Sequence, residues 1–440
     1  MQQKITGEVK ISPSILTITQ KIKNISAFKE KIEEFSEKSV SELSEVILGG
    51  AINLGASDIH IEPKEKETKI RIRTDGILQD VTIFEREIFE GLLSRVKLLS
   101  GIKLNITDRP QDGRFSISME SSTKTGENKI EVRTSILPSE YGETIVLRVL
   151  NPKDLIRLGA LGLRKDLLET FEREIKKPNG MIIVTGPTGS GKTTTLYAFL
   201  KRVQKPAIKI ITIEDPIEYR LEGISQTQVD QKKGYDFASG LKSIMRQDPD
   251  VILVGEIRDL ETAEIALQAA LTGHLVFATL HTNDAAGTVA RLTNLGAKPS
   301  NIGPAINMAI AQRLVREICK KCGKLEKVPP KTLDKLKKGL KGIPKEVRVP
   351  KLGGELKVPR PKGCRDCNFT GYRGRAGIFE TFLVDEEMEK FILQNPSIAV
   401  LKKEAIKRGM VTMQQDGLIK VLNGITTIEE VERITGPVKQ

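Results

Sequence analysis

Apolar residues at Val40, Leu43, Val46, Ile47 and Ala51 recur at helical spacing. A helix is therefore predicted over residues 40–54, with Ser41 placed to cap its start. From Asp58 the period falls to two. Ile59 and Ile61, then Ile70 and Ile72, read as paired strands, and Asp75-Gly76 is a turn signal. A helix over 85–99 and strands over 114–119, 129–135 and 144–149 complete an α+β domain of residues 41–150. Residues 1–40 carry no clear period beyond a short helix near 27–38, and read as a short, weakly structured N-terminal arm or a short helical lead. Asn151-Pro152 opens a linker over 151–162.

Beyond the linker the pattern changes again. Short, continuously apolar runs at 181–185, 208–213, 251–254 and 275–279 alternate with helical segments at 192–203, 237–246 and 261–271. Such runs, unlike alternating ones, are expected of strands buried on both faces. The order therefore predicts an α/β domain over 163–318 with a parallel sheet covered on both sides. A Lys- and Pro-rich insert follows over 319–367, then a helical region over 368–440.

Composition narrows the class. The 440 residues are 39% hydrophobic and 29% charged, as expected of a globular chain with real cores. No run of about 18 apolar residues occurs, and the start, MQQKITGEVK, lacks the apolar core of a signal peptide. A soluble cytoplasmic protein is expected. The net charge of +13 invites a nucleic-acid reading, but the charge is local. Residues 319–367 hold 16 Lys/Arg against 5 Asp/Glu, a balance of +11, and leave +2 for the rest. Aromatic residues are only 4% with no Trp, which weakens any model built on base stacking.

Gly186, Pro187, Thr188, Gly189, Ser190, Gly191, Lys192 and Thr193 fit G-x-x-x-x-G-K-[ST], between a buried strand and a helix start. Glycines let backbone N–H groups face phosphate oxygens, and the helix N-terminus adds partial positive charge. Lys192 is expected to reach the β- and γ-phosphates of ATP and Thr193 to ligate Mg²⁺, with Thr194 beside them. Hydrolysis also needs a group to orient or deprotonate water. Glu214, Glu256 and His281 each follow a predicted strand, and ligands of open α/β sheets bind beyond the strands' carboxyl ends. These three residues are expected to converge on the P-loop. The acids are expected to orient or activate water and support the metal, and His281 to sense the γ-phosphate. In the second motif usual to P-loop proteins an Asp ends the apolar strand; here, after 251–254, Gly255 replaces it and the acid is Glu256, so metal contact there is expected to run through water. Acids at strand ends also cap helices, and simple capping is the plainer reading of Asp215-Pro216. His274, at a strand's start, reads as a packing residue.

The blocks SDIHIEP at 57–63, RTDG at 73–76, RPQDGR at 109–114, GPTGSGKTTT at 186–195, EDPIEY at 214–219, VGEIRD at 254–259 and GHLVFATLHTNDA at 273–285 occur in this order. GCRDCNFTGYRGRAGIFE at 363–380 and Asp416-Gly417 follow. Together they resemble the secretion-superfamily ATPases of type II secretion and type IV pilus assembly, over roughly residues 41–440. The resemblance implies a homo-hexameric motor with an N-terminal PAS-like domain and a RecA-like P-loop ATPase domain. It places Glu214 in the family's Asp box, Glu256 in its Walker B motif and His281 in its His box. It further implies that N-terminal arginines, here Arg133 and Arg148, reach a nucleotide, where they would neutralise charge growing on the γ-phosphate. An exposed ion pair is the plainer reading of either. Secretion members usually carry a sizeable extra N-terminal domain that binds a membrane partner. Only about 40 residues precede the matching region here, so that domain is expected to be absent, reduced or removed.

Cys319, Cys322, Cys364 and Cys367 form two C-x-x-C turns separated by 41 residues. Two such turns complete a tetrahedral Cys₄ set, expected to hold structural Zn²⁺ with no open position for catalysis. The family's extension-type members carry this tetracysteine and retraction-type members generally lack it. The basic insert contains no aromatic residue between Lys320 and Lys362, and its prolines point to loops. It reads as a face for an acidic partner or the anionic membrane surface, or simply as a solvated segment. The resulting expectation is a cytoplasmic ATPase, peripherally associated with the inner membrane. It would drive a platform protein that adds pilin or pseudopilin subunits, with no specific nucleic-acid partner. A nucleic-acid translocase on the same core is the alternative, and a non-hydrolysing scaffold is disfavoured by the acids present.

Overall fold

A computed structural model describes residues 7–119, 128–152 and 156–438. The first six residues of the expected arm, residues 153–155 of the expected linker and the last two of the tail lie outside them. The chain divides into two compact units. One is Met1–Asp154 with Cys319–Cys322 and Lys362–Arg373; the other is Leu155–Ile318, Gly323–Pro361 and Gly374–Gln440.

The first unit contains β1 (Gly7–Ile11), α1 (Pro13–Gln20), α2 (Ile25–Ser36), α3 (Val40–Asn53), β2 (Asp58–Pro63), β3 (Glu67–Thr74), β4 (Ile77–Glu85), α4 (Arg86–Ser100), β5 (Gln111–Met119), β6 (Asn128–Ser139) and β7 (Gly142–Leu150). Its sheet has the order β1-β5-β6-β7-β2-β3-β4. The two-residue period of β2 and β3 is the reason one face is apolar: Ile59, Ile61, Ile70 and Ile72 all enter the core beneath the helices. The short helix expected near 27–38 is present as α2, and the weakly structured alternative is corrected. β1 pairs in parallel with β5, and Phe28, Ile32 and Phe35 of α2 are buried in the same core. Helix α3 is capped by Ser39, not Ser41: the Ser39 side chain accepts the Glu42 N–H.

The second unit contains α5 (Lys165–Glu174), β8 (Gly180–Thr185), α6 (Lys192–Val203), β9 (Ile210–Glu214), β10 (Ser225–Gln228), α7 (Phe237–Met245), β11 (Val251–Val254), α8 (Leu260–Leu271), β12 (Leu275–Leu280), α9 (Gly287–Leu295), α10 (Pro299–Ala305) and β13 (Ile306–Ile318). It continues with β14 (Lys324–Lys327), α11 (Pro330–Gly339), β15 (Lys357–Arg360), β16 (Tyr372–Leu383, whose first two residues count with the first unit), α12 (Glu386–Leu393), α13 (Ile398–Lys407), α14 (Met413–Leu422) and α15 (Ile428–Thr435). The order β10-β9-β11-β12-β8-β13-β16 is parallel through β13. Continuous apolar strands feed two cores at once. Ile183, Ile213, Val254 and Ala278 enter one, and Val184, Ile210, Leu253 and Phe277 the other. Among the described residues no helix is long and apolar enough to cross a membrane.

The basic insert differs from the expected loops. Pro330 sits in the first turn of α11, where its missing N–H costs nothing. Leu336 and Leu340, with Val358 of β15, share a core with Leu418, Ile419, Ile428 and Val431 of α14 and α15. The segment is amphipathic, charged outside and packed within.

Candidate nucleotide site and cysteine cluster

The P-loop runs from β8 into α6 at the carboxyl edge of the parallel sheet. Gly186 has φ 147°, and a Cβ there would lie 2.4 Å from the Gln312 carbonyl oxygen, so only glycine fits. Lys192 donates its ammonium to the carbonyls of Gly186 (2.8 Å) and Pro187 (3.2 Å). The Ser190 hydroxyl is buried, and among the described residues it has no hydrogen-bond partner. A buried unfilled donor inside a turn of glycines fits a phosphate oxygen. Thr195, one helical turn on, donates to Gln312 Oε1 at 2.7 Å and pins α6 to β13.

A cleft of about 90 Å³ opens beside the loop, lined by Thr193, Tyr197, Glu214, Asp215, Glu218, Gly255, Glu256 and Thr279 among others. Glu256 forms an ion pair with Arg258, and its Oε2 lies 3.5 Å from His281 Nε2. Burial and the positive charge of Lys192 depress the His281 pKa, while Glu256 opposes them. Burial also lowers the Lys192 pKa, again opposed by Glu256. Of the three strand-end residues, Glu256 and His281 stand within 3.5 Å of each other, and Glu214 lines the same cleft as Glu256. Glu214 is deeper. Burial raises its pKa, against hydrogen bonds donated by Thr212, Tyr197 and Gln226. The Gly255 anomaly has a steric reason: a Cβ there would stand 3.1 Å from Glu214 Cα and the Ile213 carbonyl oxygen. Any side chain would press on the backbone that carries Glu214. His274 directs Nδ1 to the Ala269 carbonyl at 3.0 Å, beside the end of α8 and away from the strand end.

Arg133 and Arg148 lie in the first unit as cross-strand partners on β6 and β7. Arg148 pairs with Asp58 at 3.0 Å and is half exposed. Sequence reasoning did not find Arg258, Tyr197, Thr212, Gln226 or Gln312. The only sequence signal was that Arg258 falls two residues after Glu256 within the VGEIRD block.

Solved and curated relatives extend this geometry. A family model described as "Type II/IV secretion system protein" matches residues 33–433. The chain belongs to this family. The type IV pilus assembly ATPase PilB of Myxococcus xanthus is 40% identical over 422 residues, covering 94% of this chain and 72% of that protein. The type II secretion system ATPase E of Vibrio cholerae is 44% identical over 411 residues, covering 92% and 77%. Among solved structures, the ATPase DotB of Legionella pneumophila aligns with a TM-score of 0.62 at 22% identity, covering 89% of this chain and 94% of that one, which shows the fold. The pilus retraction motor PilT, solved with bound ADP, aligns at 0.58 and 25% identity, covering 88% and 96%. This member of the secretion family is an ATPase of the secretion and pilus-assembly class. The relatives do not favour the nucleic-acid translocase reading.

The four cysteine sulfurs of the family member's first unit all lie within 4.8 Å of one another. Cys319–Cys364 is 4.0 Å, and Cys322–Cys367 and Cys364–Cys367 are each 3.7 Å. Sulfurs about 2.3 Å from a tetrahedral ion stand about 3.8 Å apart, so the set fits a metal such as zinc. Burial pushes the Cys367 thiol up, but N–H groups of Cys364 and Gly371 aimed at its sulfur pull it down, while burial and the neighbouring thiols hold Cys322 up. These donors favour the thiolate a metal needs.

Proposed function

We propose that the protein is a hexameric, Mg²⁺-dependent motor of the cytoplasm. It hydrolyses ATP to drive addition of pilin or pseudopilin subunits through an inner-membrane platform protein, with which it is peripherally associated. The first unit is read as the PAS-like domain and the second as the RecA-like one. The observation that carries the reading is the gathering of Lys192, Glu256 and His281 at the P-loop, beside a cleft that also reaches Glu214. Gly186–Thr194 hold the phosphates. Thr193 is the residue to hold Mg²⁺, which when bound neutralises phosphate charge. Glu256 and Glu214 orient or activate the attacking water. His281, held uncharged beside Lys192, can donate to or accept from the γ-phosphate region and report its presence. Arg133 and Arg148 are the arginines proposed to meet the γ-phosphate. The cysteines hold a structural zinc ion.

Phosphate release by wild type and Glu256→Gln tests the reading. The variant should lose about 100-fold or more in kcat while still binding nucleotide. Equal turnover in the two proteins, at any level, would overturn it.

A further inference from the structure

Glu214, at the end of β9, is 4% exposed, yet side chains from three elements converge on its carboxylate. Tyr197 of α6 donates its hydroxyl to Oε2. Thr212, two residues back on β9, donates to Oε1 at 2.6 Å. Gln226 of β10 donates from Nε2 to Oε1 at 3.1 Å. The Gln226 amide has a fixed sense: its Oε1 accepts the Leu221 N–H at 2.7 Å, and its Nε2 also donates to the Tyr219 carbonyl at 3.0 Å. Flipping the amide would lose both bonds. An ionised carboxylate is acceptor-only, with about four lone-pair sites. Three are filled, which leaves about one for a ligand in the adjoining cleft.

Tyr197 is itself 1% exposed and meets the Tyr219 ring edge-on, with centroids 6.3 Å apart. It lies four residues after Thr193 and so on the same face of α6. One helix therefore carries the phosphate-binding turn at its start and the hydroxyl on Glu214 in its second turn. Packing on Tyr219 needs only the ring; the hydroxyl donates to the carboxylate, while the backbone of Tyr219 and Glu218 also acts on that hydroxyl.

We infer that Tyr197 is a positioning residue for ATP hydrolysis. With Thr212 and Gln226 it holds Glu214 as an acceptor turned to the cleft, and it ties that orientation to the helix that grips the phosphates. The inference rests on reading Glu214 as a residue that orients water. A carboxylate this deeply buried cannot replace a lost donor with bulk water, so its orientation depends on the three side chains.

The test measures steady-state hydrolysis, affinity for a fluorescent ATP analogue and thermal melting of the full chain. Wild type is compared with Tyr197→Phe, Thr212→Val, Glu214→Gln and the Tyr197→Phe/Glu214→Gln double variant. Tyr197→Phe keeps the ring and should lower kcat about tenfold while KM and analogue affinity stay within about twofold. Thr212→Val should act in the same direction, and serves alone if Tyr197→Phe fails to fold. In the Glu214→Gln background Tyr197→Phe should cost nothing further, because the two act through one group. Wild-type kcat in Tyr197→Phe and Thr212→Val, or an additive loss in the double variant, overturns the inference while leaving Glu214 its role. Wild-type hydrolysis in Glu214→Gln removes the role of Glu214 and the inference with it.

Discussion

The P-loop of the second unit and the cysteine cluster of the first are both short glycine-containing turns that gather a ligand's partners, yet their free capacity differs. At the P-loop, the Ser190 hydroxyl is buried and unfilled, and Lys192 rests on two carbonyls of its own loop, contacts that a phosphate can replace. A cleft stands open beside it. At the cluster, four sulfurs face one another and backbone N–H groups already point at Cys367. A site for a ligand that comes and goes keeps unsatisfied donors and an entrance. A site for a resident ion is closed by its own ligands.

Three measurements can break or sharpen that contrast. The largest effect is expected on removing the proposed zinc ion. Chelation, or Cys364→Ser, should destabilise the first unit by several kcal/mol, since structural zinc binding is folding free energy. The transition should be seen by calorimetry, together with loss of about one zinc per chain in elemental analysis. Affinity of the P-loop for nucleotide should stay within about twofold; if it collapses in step with the metal, the two sites are not separable.

A smaller effect should come from acid. The second unit is held by protein charges: Glu430 is 1% exposed, and accepts from Arg316 (2.8 Å) and Arg433. Burial raises its pKa, but Arg433 and Arg316 outweigh burial and bring it from 4.5 to about 2. A carboxyl depressed in the folded state stabilises fully above its unfolded pKa. That contribution should therefore be complete above 4.5 and fade as pH falls toward 2. Urea unfolding at stepped pH should show it, and Arg316→Ala should flatten it. A chelator should leave this component untouched.

The smallest effect belongs to the basic face. Lys337, Lys338 and Lys341 are exposed on or beside α11. Replacing all three with Gln should shift stability by about 0.5 kcal/mol or less and leave basal hydrolysis unchanged. Binding to vesicles of anionic lipid should weaken. Loss of basal hydrolysis would deny that the face and the phosphate site are independent.

The parts legible in the sequence were those carried by local chemistry. Apolar runs buried on both faces announced β8, β9, β11 and β12, and the glycine spacing announced the P-loop turn. What went unread was nonlocal. Strand β10 is Ser-Gln-Thr-Gln, with no apolar residue to betray it; it exists as a strand because β9 offers a parallel edge. Strand β1 pairs Gly7 with Phe115, more than a hundred residues on, so no window along the chain contains its partner. The lysines of the insert hid the inward stripe of Leu336 and Leu340, whose partners lie in α14 and α15.

The same division separates the groups of the candidate site. The sequence by itself determined which groups are available: a phosphate-binding turn, two acids and a histidine at strand ends, and four thiols spaced for one ion. Residue type and local period set these, because backbone preference and burial pattern act over a few residues. The tertiary structure decided how those groups differ. Glu256 meets Arg258 and His281 near solvent, while Glu214 is enclosed by Tyr197, Thr212 and Gln226 from three elements. Two glutamates alike in sequence position acquire different environments because hydrogen bonding and desolvation depend on what the fold brings within about 3 Å.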